Sequence, residues 1–183
     1  MRTPFDEART APDLREAVVA IDMMAAAEQA SISQMRSYLE TRAGWRGEEQ
    51  VRRAVDLGSE RSMSPNENRM RLVWVLDADL PPPLVNQPVL DRRGRLVGIA
   101  GLLDAEAGVV GEYDGAERRA AKRHSKDVAR EEDFRGLGLE YSKVVGPDMR
   151  SHGLVADRMA FTRGRATWLT EARRAWTIEP PPD

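Results

Sequence analysis

Apolar residues recur every three or four positions through the first third of the chain, then in alternating or short continuous runs through its middle. Leu14, Val18, Ile21 and Met24 fall on one face of a helix running from about Pro12 to Gln29, with Pro12 and Asp13 suited to its first turn. Ser31 or Ser33 can cap a second helix carrying Met35, Tyr38 and Leu39, which Gly44 ends. A third short helix follows, from about Gly47 to Leu57. Ser64-Pro65-Asn66-Glu67 reads as a helix start, because the Ser hydroxyl can accept from the amide three residues on while Glu67 reaches back. That helix runs through Met70, Leu72, Val73 and Leu76 toward Asp79, and Pro81-Pro82-Pro83 stops it.

The period then changes. Leu84–Leu90 and Arg95–Leu103 are strand-like and flank the turn Asp91-Arg92-Arg93-Gly94. Asp104–Gly108 is a second turn, and Val109–Asp114 a third strand ending at Gly115. A helix from about Ala116 to Leu137 precedes a short strand, Glu140–Val145, and Gly146-Pro147-Asp148 closes the unit. The order predicts an α/β (α+β) layer arrangement, a mixed sheet flanked by helices rather than a doubly wound one. Residues 1–58 form a helical extension, 59–150 the core domain, and 151–183 a C-terminal helix and tail packed on the core. The helix of that last part is expected over Leu154–Trp176, weakened at Gly164, with a frayed end at Pro180-Pro181-Pro182.

Composition narrows the chemistry. The chain has 183 residues, 41% of them hydrophobic and 32% charged, enough for one core plus an extension. Lys and Arg number 28 against 30 Asp and Glu, so any nucleic-acid surface must come from segregation of charge and not from net charge. The absence of cysteine excludes disulfides, thiolate zinc sites and a cysteine nucleophile. Two histidines, His124 and His152, are too few for a histidine-rich metal cage. No stretch has the length of a transmembrane helix and no signal peptide is legible, so a soluble cytoplasmic protein is expected.

Glu112 and Asp114 lie two apart on one strand, which points both carboxylates to one sheet face and Tyr113 to the other. Hydrolysis of a phosphodiester needs a hard cation held by oxygen ligands, and such a pair is a natural start for its site. Salt bridging at the surface is the competing reading. Beyond this strand, Arg118, Lys122 and Lys126 fall at helical spacing, flanked by Arg119 and Arg123, and no acid interrupts them until Asp127. Such a stripe suits a phosphate backbone, or is an ordinary solvated helix face. Arg158, Arg163, Arg165, Arg173 and Arg174 make a second basic region with the same two readings.

The run from Gly98 to Gly115, with Glu112-Tyr113-Asp114-Gly115 at its end, is followed by Arg119, Arg123-His124, Asp127 and Arg130-Glu131-Glu132. Together with Ser64-Pro65-x-Glu67 and Gly146-Pro147-Asp148, it resembles actinobacterial Vsr-like endonuclease domains of the restriction-endonuclease-like, or PD-(D/E)XK, superfamily. The resemblance covers about half the chain. It implies a DNA-associated fold, ancestrally a Mg²⁺-dependent endonuclease. Glu112 and Asp114 would be metal ligands, Glu67 a helix carboxylate facing the metal, and His124 a group near the scissile phosphate or leaving oxygen. Arg118, Arg119, Lys122, Arg123 and Lys126 would lie on DNA. Many such domains follow a winged helix in proteins described as AbiEi-type antitoxins. That implies an alternative, a non-catalytic domain with a toxin or regulator as its partner; no winged helix is legible here, and the chain would then be part of a longer protein. Two positions depart from the family pattern. Gly101 stands where an Asp usually bridges the metal, and Arg118 where a histidine is common. Asp104 cannot stand in for the missing Asp, because its odd offset puts it on the opposite face of a regular strand.

Overall fold

The computed structural model describes residues 2–41, 44–115 and 121–180, with residue 2 and the stretch 121–127 described by backbone alone. The chain divides into two compact units, residues 1–69 and 70–183.

The first unit is helical, with α1 (Arg2–Thr10), α2 (Leu14–Ala26), α3 (Ile32–Glu40) and α4 (Glu48–Asp56). Asp13 is the N-cap of α2, accepting from the Glu16 amide, so Pro12 and Asp13 precede the helix rather than forming its first turn. Ser31 caps α3 in a reciprocal box with Gln34. Gly47 opens α4 at a φ of +82°, where a Cβ would come within 2.7 Å of the Arg9 carbonyl oxygen, so only glycine fits. The apolar faces turn inward: Val18, Ile21, Met35, Leu39, Val51 and Val55 are buried. Phe5 of α1, a helix that the periodicity did not single out, packs edge-on against Tyr38 and Trp45.

The division between the units falls inside α5 (Pro65–Leu72). The continuous helix expected as far as Asp79 stops being α-helical at Leu72 and widens into a π-helical turn, Val73–Asp77. The buried indole of Trp74 donates to the Pro81 carbonyl, 2.9 Å away, and holds the chain where it leaves that turn.

The second unit is a five-stranded mixed sheet in the order β4-β3-β2-β1-β5. Its strands are β1 (Leu84–Asp91), β2 (Leu96–Asp104), β3 (Val109–Asp114), β4 (Glu140–Val145) and β5 (Trp176–Thr177). β1, β2 and β3 form an antiparallel meander, and β4 joins β3 in parallel after the crossover helix α6 (Ala121–Gly136). A 3-10 turn, Gly146–Arg150, leads to α7 (His152–Gly164). Helices cover both faces. Val155, Ala156 and Met159 of α7 pack with Trp74, Leu102, Val109 and Val144 on one. Phe134 of α6 packs with Ala100, Leu103, Val110 and Tyr141 on the other.

The C-terminal segment differs from expectation. The helix ends at Gly164, and Leu154–Trp176 is not one helix: after an irregular stretch and a 3-10 turn at Glu171–Arg173, Trp176 and Thr177 pair with Asp91 and Leu90 as an edge strand. A strand bond to residues some 85 positions earlier leaves no periodicity in a two-residue segment.

Candidate functional site

β1 and β2 both change faces at one level of the sheet. Val85 packs on the α7 side but Val89 on the α6 side, although residues four apart share a face in a regular strand. Ala100 and Leu102 likewise part company. Between them stand Asn86, at a φ of +45°, and Gly101. The β2–β3 ladder stops beside this kink, its last pair being Leu102 with Gly111. The Gly101 amide is then free to donate to the Glu112 side chain, at 3.0 Å to Oε1. A Cβ on Gly101 would lie 3.2 Å from the Gly111 carbonyl oxygen and 3.7 Å from Glu112 Oε2. Gly101 thus serves as a close-approach residue and also stands directly before the strand carboxylate.

Glu112 points to the α6 side and Tyr113 to the α7 core, as alternation requires. Arg130 of α6 reaches Glu112 Oε2 at 3.4 Å. It can do so because Gly98 lets α6 lie close on the sheet: a Cβ there would come within 2.9 Å of the Phe134 ring and 3.2 Å of Arg130 Cγ. Asp114 is paired with Lys143 of β4, whose Nζ is 2.8 Å from Oδ2. The parallel register sets Glu112 opposite Lys143, so the lysine needs to reach only one pleat along the strand.

Tyr141 completes the group. Its phenol is buried, and desolvation pushes its pKa well above the ordinary value, with the Glu112 charge adding to the effect and Arg130 opposing it. The hydroxyl therefore stays neutral and does not serve as a base. Glu112 and Asp114 are thus each met by a cation, beside a neutral phenol.

Only part of the predicted site comes together. Glu112 and Asp114 share the α6 side, and Asp104 faces the other side, where its Oδ2 pairs with Arg163 at 2.7 Å and its Oδ1 accepts from the Ala107 amide. Glu67 belongs to the first unit; its amide donates to Ser64 Oγ at 3.3 Å, and its Oε2 is buried without a hydrogen-bond partner among the described residues. Lys122, Arg123, His124 and Lys126 lie on the first turns of α6, where the backbone alone is described. Arg118 and Arg119 lie outside the described residues.

Arg130, Tyr141 and Lys143 were not singled out in the sequence as site residues. Arg130 stood in the run that carries the resemblance, but its contact with Glu112 depends on the close seat of α6. Lys143 would have followed from the register of β4, had the parallel pairing been known.

A hard divalent cation takes six or more oxygens, with carboxylates among them. The α6 face offers two carboxylates, each already engaged by a cation, and an N–H where a third would stand. Among the described residues no group of three or more acidic or histidine side chains converges. This arrangement does not fit Mg²⁺. The second basic region is also largely spent on the fold: Arg158 on Asp148 and the Lys143 carbonyl, Arg163 on Asp104, Arg165 on Glu140. No helix among the described residues is long and apolar enough to cross a membrane. Comparison with protein-family models, with curated proteins and with solved structures finds no match to this chain.

Proposed function

We propose that residues 70–183 form a DNA-associated domain of restriction-endonuclease-like ancestry in which Mg²⁺-dependent hydrolysis has been lost or reduced to a residue. The observation that carries this reading is the engagement of Glu112 and Asp114 by Arg130 and Lys143, with the Gly101 amide at the position of the missing carboxylate. A metal ion polarises a phosphoryl oxygen and makes a hydroxide nucleophile. The same carboxylates held by a guanidinium and an ammonium do neither. What remains is a scaffold that carries the basic stripe Arg118, Arg119, Lys122, Arg123 and Lys126 against phosphates.

The test is incubation of purified protein with supercoiled plasmid and Mg²⁺ or Mn²⁺, alongside duplex-binding measurements over a range of salt. Retention of DNA without nicking above the Glu112→Ala background is the expected result. Metal-dependent nicking that disappears in Glu112→Ala would restore the enzyme, and absence of any DNA binding would remove the nucleic-acid reading altogether.

A second reading, a non-catalytic partner domain in a toxin–antitoxin or DNA-defence system, is favoured by a different feature. Leu154 and Phe161 stand two turns apart on α7, 54% and 69% exposed, and give its outer face an apolar pair suited to a protein. It predicts that Phe161→Ser abolishes partner capture and leaves DNA binding intact.

A further inference from the structure

The turn joining β1 and β2 carries Arg92, Arg93 and Arg95 in four positions, in a chain whose net charge is -2. All three are exposed. With Asp91 and Ala175 they line an open cleft of about 610 Å³.

Each arginine is held differently. Arg92 donates through Nε to the Arg174 carbonyl at 2.7 Å and through Nη2 to the Glu171 carbonyl. Carbonyls fix a guanidinium without cancelling its charge. Asp91 accepts from the amides of Arg93 and Arg95 and pairs with the Arg95 side chain at 3.1 Å. Its carboxyl is held below the usual range, first by the Arg95 amide, so it remains an anion devoted to shaping the turn. The Arg95 side chain is nonetheless 80% exposed. Arg93 has no carboxylate partner among the described residues, and neither has Arg173, which is exposed on the segment that Arg92 binds. That segment is fixed a second time by the pairing of Trp176 and Thr177 with Asp91 and Leu90. Hairpin and tail therefore form one preorganised surface, which carries the exposed arginines Arg92, Arg93, Arg95 and Arg173.

We infer that this hairpin–tail surface binds the phosphate backbone of duplex DNA, as a contact separate from the basic run between Arg118 and Lys126. The cleft is open and is lined by Arg92, Arg93 and Arg95 with Asp91 and Ala175, no aromatic ring among them. A base or nucleoside would need an aromatic platform or an apolar pocket. A repeating phosphate needs only cations on a fixed frame, and arginine's planar fork suits it. The contact is consequently blind to sequence. The inference rests on the reading of the domain as DNA-associated and adds the surface that would carry it.

The experiment measures the anisotropy of two labelled duplexes of unrelated sequence with the full chain, with Arg93→Glu/Arg173→Glu, and with Lys122→Glu/Lys126→Glu. Arg92 stays, because it anchors the tail, and thermal melting verifies folding. The hairpin variant is expected to weaken binding to both duplexes roughly tenfold near 0.1 M salt and to lower the salt slope by about 2, since two phosphate contacts are lost. If charge reversal perturbs the fold, Arg93→Gln/Arg173→Gln is expected to lose about half as much in log affinity, without the added repulsion. Binding by the full chain that the α6 variant weakens and the hairpin variants do not would overturn this surface alone. A loss confined to one duplex would overturn the backbone chemistry. No binding by the full chain would overturn the DNA reading and this surface with it.

Discussion

The two faces of the sheet each hold a carboxylate against an arginine, and they use it differently. On the α7 face, Asp104 is 5% exposed, sits 2.7 Å from Arg163 and also caps the turn into β3 through the Ala107 amide. On the α6 face, Glu112 is 12% exposed, and Arg130, itself 36% exposed, approaches to 3.4 Å. The first pair is locked in on every side. The second is a long contact at the end of a ladder that has already parted. A buried pair that closes a turn is part of the fold, whereas Glu112, held by the Gly101 amide and by a partly exposed guanidinium, stands beside a strand kink. The contrast teaches that two carboxylates on one sheet, each facing an arginine, can differ in how far the fold depends on them.

Breaking the tighter pair tests the contrast most severely. Asp104→Ala removes the partner of a mostly buried guanidinium together with a turn cap, and is expected to cost about 3 kcal/mol in urea unfolding. A loss as small as that of Glu112→Gln would mean that the two faces do not differ. Gly101→Asp comes next. Its Cβ would press on the Gly111 carbonyl and its carboxylate would face Glu112, for a cost of about 1.5 kcal/mol. Because Arg130 and Lys143 already occupy the carboxylates, Mg²⁺ is expected to leave that loss in place. Rescue by Mg²⁺ in melting curves would show that the cations step aside and a metal site persists. Glu112→Gln keeps an acceptor for the Gly101 amide and surrenders only the charge, so about 1 kcal/mol is expected from the same unfolding curves.

The smallest effect extends the α7 side. Asp148 accepts from Arg158 at 2.7 Å, and that bond, helped by the Val145 amide, lowers its pKa. A carboxyl whose folded pKa is depressed contributes stability that is present above its unfolded value, near 3.9, and lost as pH falls through the folded value. Asp148→Asn should therefore cost about 0.5 kcal/mol at neutral pH. The difference from the unaltered protein should vanish as the acid limb is descended, and a difference that persists there would assign the effect to packing.

Legibility in the sequence followed the range of the interactions. Val109–Asp114 and Glu140–Val145 were readable to the residue, because β-branched runs bounded by turn residues need no distant partner to declare themselves. The α3 cap was readable as Ser31 or Ser33 for the same reason, the bonds of the Ser31 capping box lying within four residues. The segment after Gly164 was not. Arg174, Trp176 and Thr177 are placed by Glu106, Leu90 and Asp91, some 68 to 87 positions away, and helical spacing among the intervening residues is incidental. The site was half legible. Glu112 and Asp114 share a face because the pleat has a period of two, and Asp104 opposes them because its offset from Gly101 is odd.

By itself, then, the sequence determined that β3 presents Glu112 and Asp114 on one side and Tyr113 on the other, since alternation is a property of any strand. It also determined that three arginines crowd one hairpin turn. Which cations meet those carboxylates, and whether the arginines stay uncancelled, only the tertiary structure decided. Arg130 arrives through the absence of a side chain at Gly98, Lys143 through the parallel register of β4, and the tail's carbonyls hold Arg92 without neutralising it. Electrostatic role depends on what stands within a few ångströms, and chain order fixes that distance only for neighbours.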